Sequence, residues 1–246
     1  GSYNIKLTNR EALGLSSITT SLNNFFFKSG SLFTSNYLKQ RYEFPFMSFA
    51  GSQGADHLIS FFTNALCGLV ISSILMVSQK GTFVPLILVY LSVVIILALV
   101  FSKTFDLRNR SNKYLNALIR AINSLYRIIK NRKLFYLLCV HNAVLVGLNA
   151  LKFFLICKAL SFNISFAHCL LFVTLVPFIS AIPIIHSDIG TRELIIGFYS
   201  QWLGVGFQTG MLVTLIDRCF VLLMAIAISL FFRNLLTGFK IPEQTN

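Results

Sequence analysis

The stretch IPIIHSDIGTREL, residues 182–194, places a proline, a histidine, two carboxylates and an arginine directly after an apolar run. Arg192 and Glu193 fall in the first turn of a predicted short helix over 191–203, where free backbone N–H groups and the helix dipole attract anions. With the guanidinium of Arg192 they could bind a phosphate at membrane depth. Burying an arginine alone is costly, so it needs a partner. Asp188 or Glu193 could neutralise it, and a purely structural ion pair is the alternative.

Two further charges lie in the last apolar segment, in LIDRCF. Asp217 and Arg218 are adjacent, so on a helix they point about 100° apart rather than toward each other. Thr214 and Gly210 precede Arg218 by one and two turns, and small residues on that face allow close helix approach. We expect Arg218 to face the 183–193 stretch and both charges to belong to the substrate site. A packing salt bridge is the alternative.

Three other polar residues are candidates for the same site. Lys28 is a possible second contact to an anion, or an anchor at the membrane interface. Lys152 extends a polar stripe, or it reaches outward to the interface; the stripe contains His141, Asn142 and Asn149. His186 could titrate near neutral pH and couple a proton to function, or it could hydrogen-bond the broken backbone. The histidines show no metal-ligand spacing, so we expect no metal.

The composition limits the class of protein that these residues serve. With 55% hydrophobic and 12% charged residues and a mean hydropathy of +0.74, the chain is typical of a polytopic membrane protein. The net charge of +13 is uneven, because nine of the 21 Lys and Arg residues lie in 103–133, against the single acid Asp106. This pattern indicates a cytoplasmic loop rather than a nucleic-acid surface. The five cysteines lie in apolar runs, so we expect neither a disulfide nor a zinc site. We expect no cofactor.

Hydropathy predicts four full spans, at 57–78, 83–102, 134–157 and 209–232. Placing the basic loop inside makes the spans alternate in direction and leaves 233–246 as a cytoplasmic tail. We therefore expect a multi-pass protein of the inner (cytoplasmic) membrane.

The basic loop contains an amphipathic helix between Leu107 and Lys133. Its apolar positions recur at helical spacing, at Leu115, Leu118, Ile119, Ile122, Leu125, Tyr126 and Ile129. Lysines and arginines occupy the other face. The pattern predicts a helix on the inner leaflet with anionic lipids as partners, or simply an anchor for the loop.

Two shorter segments are interrupted. The apolar run 164–182 is followed by 193–204, which is only about 18 Å long as a helix and too short to cross the membrane. A similar break at 28–31 separates 11–27 from 32–41. We expect Pro183 and Gly190 to bend the second break and Gly30 the first.

The repeated order of broken helix, short helix and long span predicts an all-α membrane protein with an inverted-topology repeat and two re-entrant elements. The halves, 11–102 and 134–232, form one membrane domain over 1–246. Span 134–157 precedes the short helices of the second half, but no corresponding helix precedes residue 11. We therefore expect further helices before residue 11 in the natural chain.

The stretch IPIIHSDIGTRELIIGFYSQWLG and the later LIDRCF resemble the flippase-like transmembrane domain of lysylphosphatidylglycerol synthases. Its pattern is roughly Pro-x-Ser-Pro-Gly-Gly-x-Gly-x-x-Glu, and the matching residues here are Pro183, Gly190, Arg192 and Glu193. Arg218 matches the arginine of the last helix. His186, Ser187 and Asp188 replace the Pro-Gly-Gly core of the pattern.

The first half is similar to the family's Asn-x-x-x-Pro-Gly-x-x-Gly break, through TNREALGLSSITTSLNNFFFKSGS and the following YLKQR. Asp56 lines up with the aspartate that opens the next span, which implies a place for it at the site. Lys28 stands where the family usually has proline. Ser52 and Gln53 stand where the family commonly has a Glu-Arg pair.

The resemblance implies a stand-alone member without the soluble aminoacyl-transferase domain. It implies that the chain moves a phospholipid or a polyprenyl-phosphate-linked lipid, with an anionic or glycosylated head group, between leaflets without covalent chemistry. One alternative is an integral-membrane glycosyltransferase with a polyprenyl-phosphate donor. It is disfavoured because the basic loop contains a single acid, although Asp188 and Glu193 could serve as its acidic residues. Another is a non-catalytic accessory subunit. The oligomeric state stays open, a homo-oligomer included.

Overall fold

The computed structural model describes residues 7–25, 28–78, 83–102, 113–180, 190–202 and 204–231. Within these ranges every regular element is an α-helix. In chain order the helices are α1 (Asn9–Phe25), α2 (Ser29–Tyr42), α3 (Phe46–Ser78), α4 (Val84–Ser102), α5 (Lys113–Lys130), α6 (Arg132–Ala159), α7 (Phe166–Ser180), α8 (Thr191–Trp202) and α9 (Phe207–Phe231). The predicted all-α class is confirmed.

Four of these helices, α3, α4, α6 and α9, are long and apolar enough to cross a membrane. Their positions agree with the four predicted spans, so the multi-pass membrane prediction is confirmed. The shortest, α4, has 19 residues and is about 28 Å long, close to the thickness of a hydrocarbon core. Only α3 departs clearly from expectation, because it begins at Phe46 rather than at residue 57.

The helices form two compact units. One unit contains α1, α2 and the part of α9 from Ile216 onward, and the other covers residues 45–215. In the larger unit α3 is central and packs against α4, α5, α6 and α7. Its interior is mostly apolar, with fully buried side chains from α4, α7 and α8, such as Tyr90, Phe172 and Ile196.

The amphipathic helix is confirmed as α5, but its apolar face does not lie free for the lipid. Ile119, Ile128 and Ile129 are buried, and α5 packs closely on α3. The Ser124 hydroxyl donates to the carbonyl of Ser48 at 3.1 Å. The early residues of α3 are rich in Ser and Gly, so hydropathy misses them, but they are helical and packed against α5.

In the smaller unit, α1 and α2 form a tight helical pair. Gly30 is buried in the first turn of α2, and a Cβ there would overlap the carbonyl oxygen of Thr19. The chain therefore turns earlier than predicted, because Gly30 already belongs to α2. The role of Gly30 in this structure is close packing against α1. The Ser21 hydroxyl of α1 donates to the Ala225 carbonyl of α9 at 2.8 Å.

The order of two short helices followed by a long one occurs twice, as α1, α2, α3 and as α7, α8, α9. The lengths agree with the predicted re-entrant elements, since α7 has 15 residues and α8 has 12. Neither is long enough to cross about 30 Å of hydrocarbon. The inversion of one repeat relative to the other stays a prediction.

Candidate functional site

The start of α8 is built around Gly190 and Glu193. Gly190 has φ +87°, a conformation that glycine adopts without the steric cost of a Cβ. Oε2 of Glu193 accepts a hydrogen bond from the backbone N–H of Gly190 at 2.8 Å. Leu194 N–H donates to the Gly190 carbonyl at 2.9 Å. Glu193 therefore reaches back to cap its own helix, as the Glu at position N3 of a capping box does.

Arg192 lies between these two residues, in the first turn of α8. Its side chain is half-buried and its Nε atom is shielded from solvent. Glu193 is only 6% exposed, so the first turn of α8 contains both a buried carboxylate and a half-buried arginine side chain. The other predicted residues of this stretch, Pro183, His186 and Asp188, lie outside the described residues.

The first break ends at Lys28, which is exposed and has φ +54°. Two of the N–H groups that open α2 are already satisfied, because Asn23 Oδ1 accepts from Gly30 N–H at 2.9 Å and from Ser31 N–H at 3.3 Å. In return, the Ser29 hydroxyl donates to the carbonyl of Leu22 at 2.9 Å. The two helices cap each other, so the binding of an anion here would depend mainly on the Lys28 side chain.

On α9, Asp217 is buried and Arg218 is half-buried. The face that carries Arg218 also carries Thr214 and Gly210, as the spacing predicts. Gly210 allows α8 to approach closely, since a Cβ there would lie 2.8 Å from the carbonyl oxygen of Ile196. Whether Arg218 faces the 183–193 stretch concerns two different units and stays a prediction.

The remaining two candidates lie on long helices. Lys152 is half-buried on α6, at the margin of the buried face that includes Val146 and Phe153. Asn142 of the same polar stripe is buried and donates to the Leu138 carbonyl at 3.0 Å. Asp56 is exposed on α3. Membership of Lys152 and Asp56 in a common site stays a prediction.

A charged cluster that was not predicted from the sequence surrounds Glu11. This buried carboxylate accepts hydrogen bonds from the hydroxyls of Tyr37 at 3.0 Å and Tyr42 at 3.2 Å. Arg41 forms an ion pair with it, with Nη2 2.9 Å from Oε1. Thr8 N–H donates to Oε2 at 3.0 Å. The signal was present in the letters TNRE, which have the Thr-x-x-Glu form of a capping box.

These contacts favour the ionised form of Glu11, which lies outside the four apolar spans. The hydrogen bond from the Thr8 backbone has the largest effect, and the hydroxyls of Thr8 and Tyr37 and the charge of Arg41 add to it. They outweigh burial and lower the pKa of Glu11 from 4.5 to about 2. The carboxylate therefore stays charged at neutral pH, and it joins the start of α1 to the end of α2.

A cluster of buried hydroxyls in the larger unit was also missed. The hydroxyl of Tyr90 on α4 lies 2.8 Å from Thr174 Oγ1 on α7. Tyr199 on α8 packs edge-on to Phe172 and stacks on Trp202. Within the described residues, the buried Tyr199 hydroxyl has no hydrogen-bond partner. Hydropathy does not distinguish these tyrosines from other residues of apolar helices, so the sequence does not predict this cluster.

Comparison with known proteins identifies the family of the chain. The family model described as the lysylphosphatidylglycerol synthase TM region matches residues 2–229. Comparisons with curated proteins and with solved structures give no significant match. The family match covers nearly the whole chain and agrees with its four apolar helices. The chain therefore belongs to the lysylphosphatidylglycerol synthase transmembrane-region family.

Proposed function

We propose that this protein is a lipid translocase of the inner membrane. It moves a phospholipid or a polyprenyl-phosphate-linked lipid, with an anionic or glycosylated head group, from one leaflet to the other. Family membership supports the flippase type of activity. The proposal for the head group depends on the residues at the two helix breaks.

The observation that carries the proposal is the position of Arg192. A half-buried arginine at membrane depth is costly, so such residues usually serve a ligand or a charged partner. Here it occupies the first turn of α8, where the helix dipole also favours an anion. Because Oε2 of Glu193 accepts from Gly190 N–H, Glu193 holds the turn in shape while Arg192 offers its guanidinium to a phosphate.

The first break repeats this chemistry in a weaker form. Lys28 precedes α2 directly and is exposed. Asn23 occupies the N–H groups of Gly30 and Ser31, and the ammonium group of Lys28 is the cation that can attract a phosphate there. We assign it a second, looser contact to the head group.

The outer surface of α8 suits the acyl chains. Leu194 and Phe198 are exposed, at 44% and 63%, while Glu193 and Ile196 are buried on the opposite face. A lipid held by its phosphate at Arg192 can therefore keep its acyl chains in the bilayer beside α8. Only the head group then needs a polar path.

The test is a leaflet-resolved assay in proteoliposomes that contain tail-labelled fluorescent phosphatidylglycerol, with dithionite bleaching the outer leaflet. We expect Arg192→Ala to slow exchange at least tenfold, because a charge-assisted hydrogen bond to phosphate contributes about 1.5–3 kcal/mol. Arg192→Lys keeps the charge but loses the bidentate geometry, so we expect an intermediate rate.

Arg132→Ala is the matched control, because Arg132 is exposed at the start of α6. It should transport like the unmodified protein. Thermal unfolding of each purified variant separates a transport defect from misfolding. Full transport by a well-folded Arg192→Ala protein would contradict the proposal.

A further inference from the structure

A cavity of about 450 Å³ opens where the end of α6 and the start of α7 meet the turn between α8 and α9. Its volume lies in the range of small-molecule sites, which is about 300–1,000 Å³. The polar side chains that line it come from both sides of the opening, and they are Ser161, Asn163, Ser165, His168 and Thr209. Arg192 and Lys28 do not line it.

Both walls of the cavity are fixed by helix-ending turns. Ser161 has φ +60°, and the next N–H, of Phe162, donates to the Cys157 carbonyl at 2.9 Å. On the other wall Gly204 has φ +75°, and Val205 N–H donates to the Ser200 carbonyl at 2.9 Å. These bonds are typical of helix C-termini closed by a left-handed residue. The cavity is therefore preformed.

The polar groups of the cavity are uncharged hydrogen-bonding groups. Among its nine lining residues, all of them described, there is no Asp, Glu, Lys or Arg. Ser165 Oγ bonds His168 Nδ1 at 2.6 Å. In the part of the chain that the structure describes, the Asn163 amide and the Thr209 hydroxyl have no hydrogen bond within the protein. They remain available to a ligand.

The length of α6 and the nearby tryptophan indicate that the cavity lies at a membrane–water interface. It adjoins the C-terminal end of α6, a helix of 28 residues, and so lies about 42 Å along that helix from the basic loop. Trp202, the single tryptophan of the chain, is close by, since its ring is 5.8 Å from Phe83 and Phe83 is 6.5 Å from His168. Tryptophan is enriched at such interfaces. A lipid head group in the leaflet opposite the basic loop can reach the opening.

We infer that this cavity binds an uncharged, hydroxyl-rich group, such as a sugar or a glycerol. Amide and hydroxyl groups can both donate to and accept from ligand hydroxyls, while a phosphate would find no cation among the lining residues. Phe162 adds an apolar wall for the carbon face of such a group. The ligand is either the head group of a lipid or a free polyol.

Trp202 fluorescence in phosphatidylcholine liposomes tests the inference. One arm contains increasing fractions of monoglucosyl-diacylglycerol, a second contains phosphatidylglycerol, and a third adds free methyl glucoside or glycerol to the solution. We expect saturable changes with the hydroxyl-bearing probes and none in phosphatidylcholine alone. Responses confined to the first two arms identify a lipid head group as the ligand. An equal response in the third arm identifies a free polyol as the ligand.

Asn163→Ala and Thr209→Val should each raise the half-saturating amount about tenfold, since each removes about one hydrogen bond. Thr209→Ser keeps the hydroxyl and should keep binding. Asn149→Ala is the matched control, because Asn149 is exposed on α6 away from the cavity. No response to any hydroxyl-bearing probe, or an unchanged response in the double variant, would overturn the inference.

This inference does not depend on the proposed transport activity. Arg192→Ala should lose transport and keep the fluorescence response, because Arg192 does not line the cavity. Failure of one proposal is thus distinguishable from failure of the other.

Discussion

At the scale of single residues, the structure separates two tyrosines that the sequence treats alike. The hydroxyl of Tyr90 is paired with Thr174 Oγ1 at 2.8 Å. The hydroxyl of Tyr199 is buried with no partner among the described residues. A buried donor without an acceptor destabilises a fold, whereas a paired one contributes modestly. The two hydroxyls should therefore respond in opposite ways to removal.

We predict that Tyr199→Phe leaves the free energy of unfolding unchanged or raises it by up to about 1 kcal/mol, because it removes an unpaired polar group. Tyr90→Phe should lower it by about 1 kcal/mol through loss of the bond to Thr174. Thermal unfolding of both variants in the same detergent is the measurement. If Tyr199→Phe were the more damaging change, the hydroxyl would have a partner in solution, such as a bound water.

The charge of Glu11 should be visible in the pH dependence of stability. Its folded pKa, about 2, lies below its ordinary value of 4.5, so its stabilising contribution is complete above pH 4.5 and is lost as the pH falls toward 2. We expect the unmodified protein to have a higher melting temperature than the Glu11→Gln variant at neutral pH. The gap should shrink progressively below pH 4.5. A gap that stays constant from pH 7 to pH 3 would contradict this assignment.

At the scale of elements, the α1–α2 pair is held by contacts that join the two helices at both ends. Asn23 and Ser29 cap across the turn, and Glu11 joins the far ends through Tyr37 and Arg41. Gly30 lets the helices approach between these caps. The pair is therefore a fixed hairpin of helices rather than two independent amphipathic segments.

Gly30→Ala should destabilise this hairpin by about 1–3 kcal/mol, because the added methyl group overlaps Thr19 and the backbones must separate. Gly147→Ala on α6 is the matched control, since a Cβ there would meet nothing within 4 Å. Helix propensity alone favours alanine at both positions by about 1 kcal/mol. Thermal unfolding should therefore shift down for the first variant and slightly up for the second, and equal shifts would show that packing at Gly30 is loose.

At the scale of the whole molecule, charge and hydropathy together define how the chain crosses the membrane. The exposed basic residues Arg120, Arg127 and Lys130 lie on the open face of α5, whose apolar face is already packed on α3. Any attraction to anionic lipids must therefore be electrostatic and sensitive to salt. The opposite end of α6 carries the neutral cavity.

This arrangement predicts the sidedness of the protein. In intact cells, a membrane-impermeant maleimide should label Asn163→Cys and should label Arg120→Cys only after permeabilisation, because positively charged loops remain in the cytoplasm. Both positions are exposed. The unmodified protein gives the background from its native cysteines. The reverse labelling pattern would show that the protein has the opposite topology.

The sequence by itself determined the class of the protein, its four spans and the positions of its short helices. It could do so because an apolar segment in lipid must satisfy its backbone within a helix, so hydropathy and length suffice. The amphipathic period of α5 and the short lengths of the interrupted segments are local properties of the same kind.

Only the tertiary structure decided what those helices touch. It placed α3 under the apolar face of α5 and turned Gly30 from a predicted bend into a packing contact. It also brought Glu11 to Tyr37 and Arg41, and Asn163 to Thr209 across one cavity. These contacts join residues far apart in the chain, and local hydropathy and periodicity carry no information on which distant faces meet.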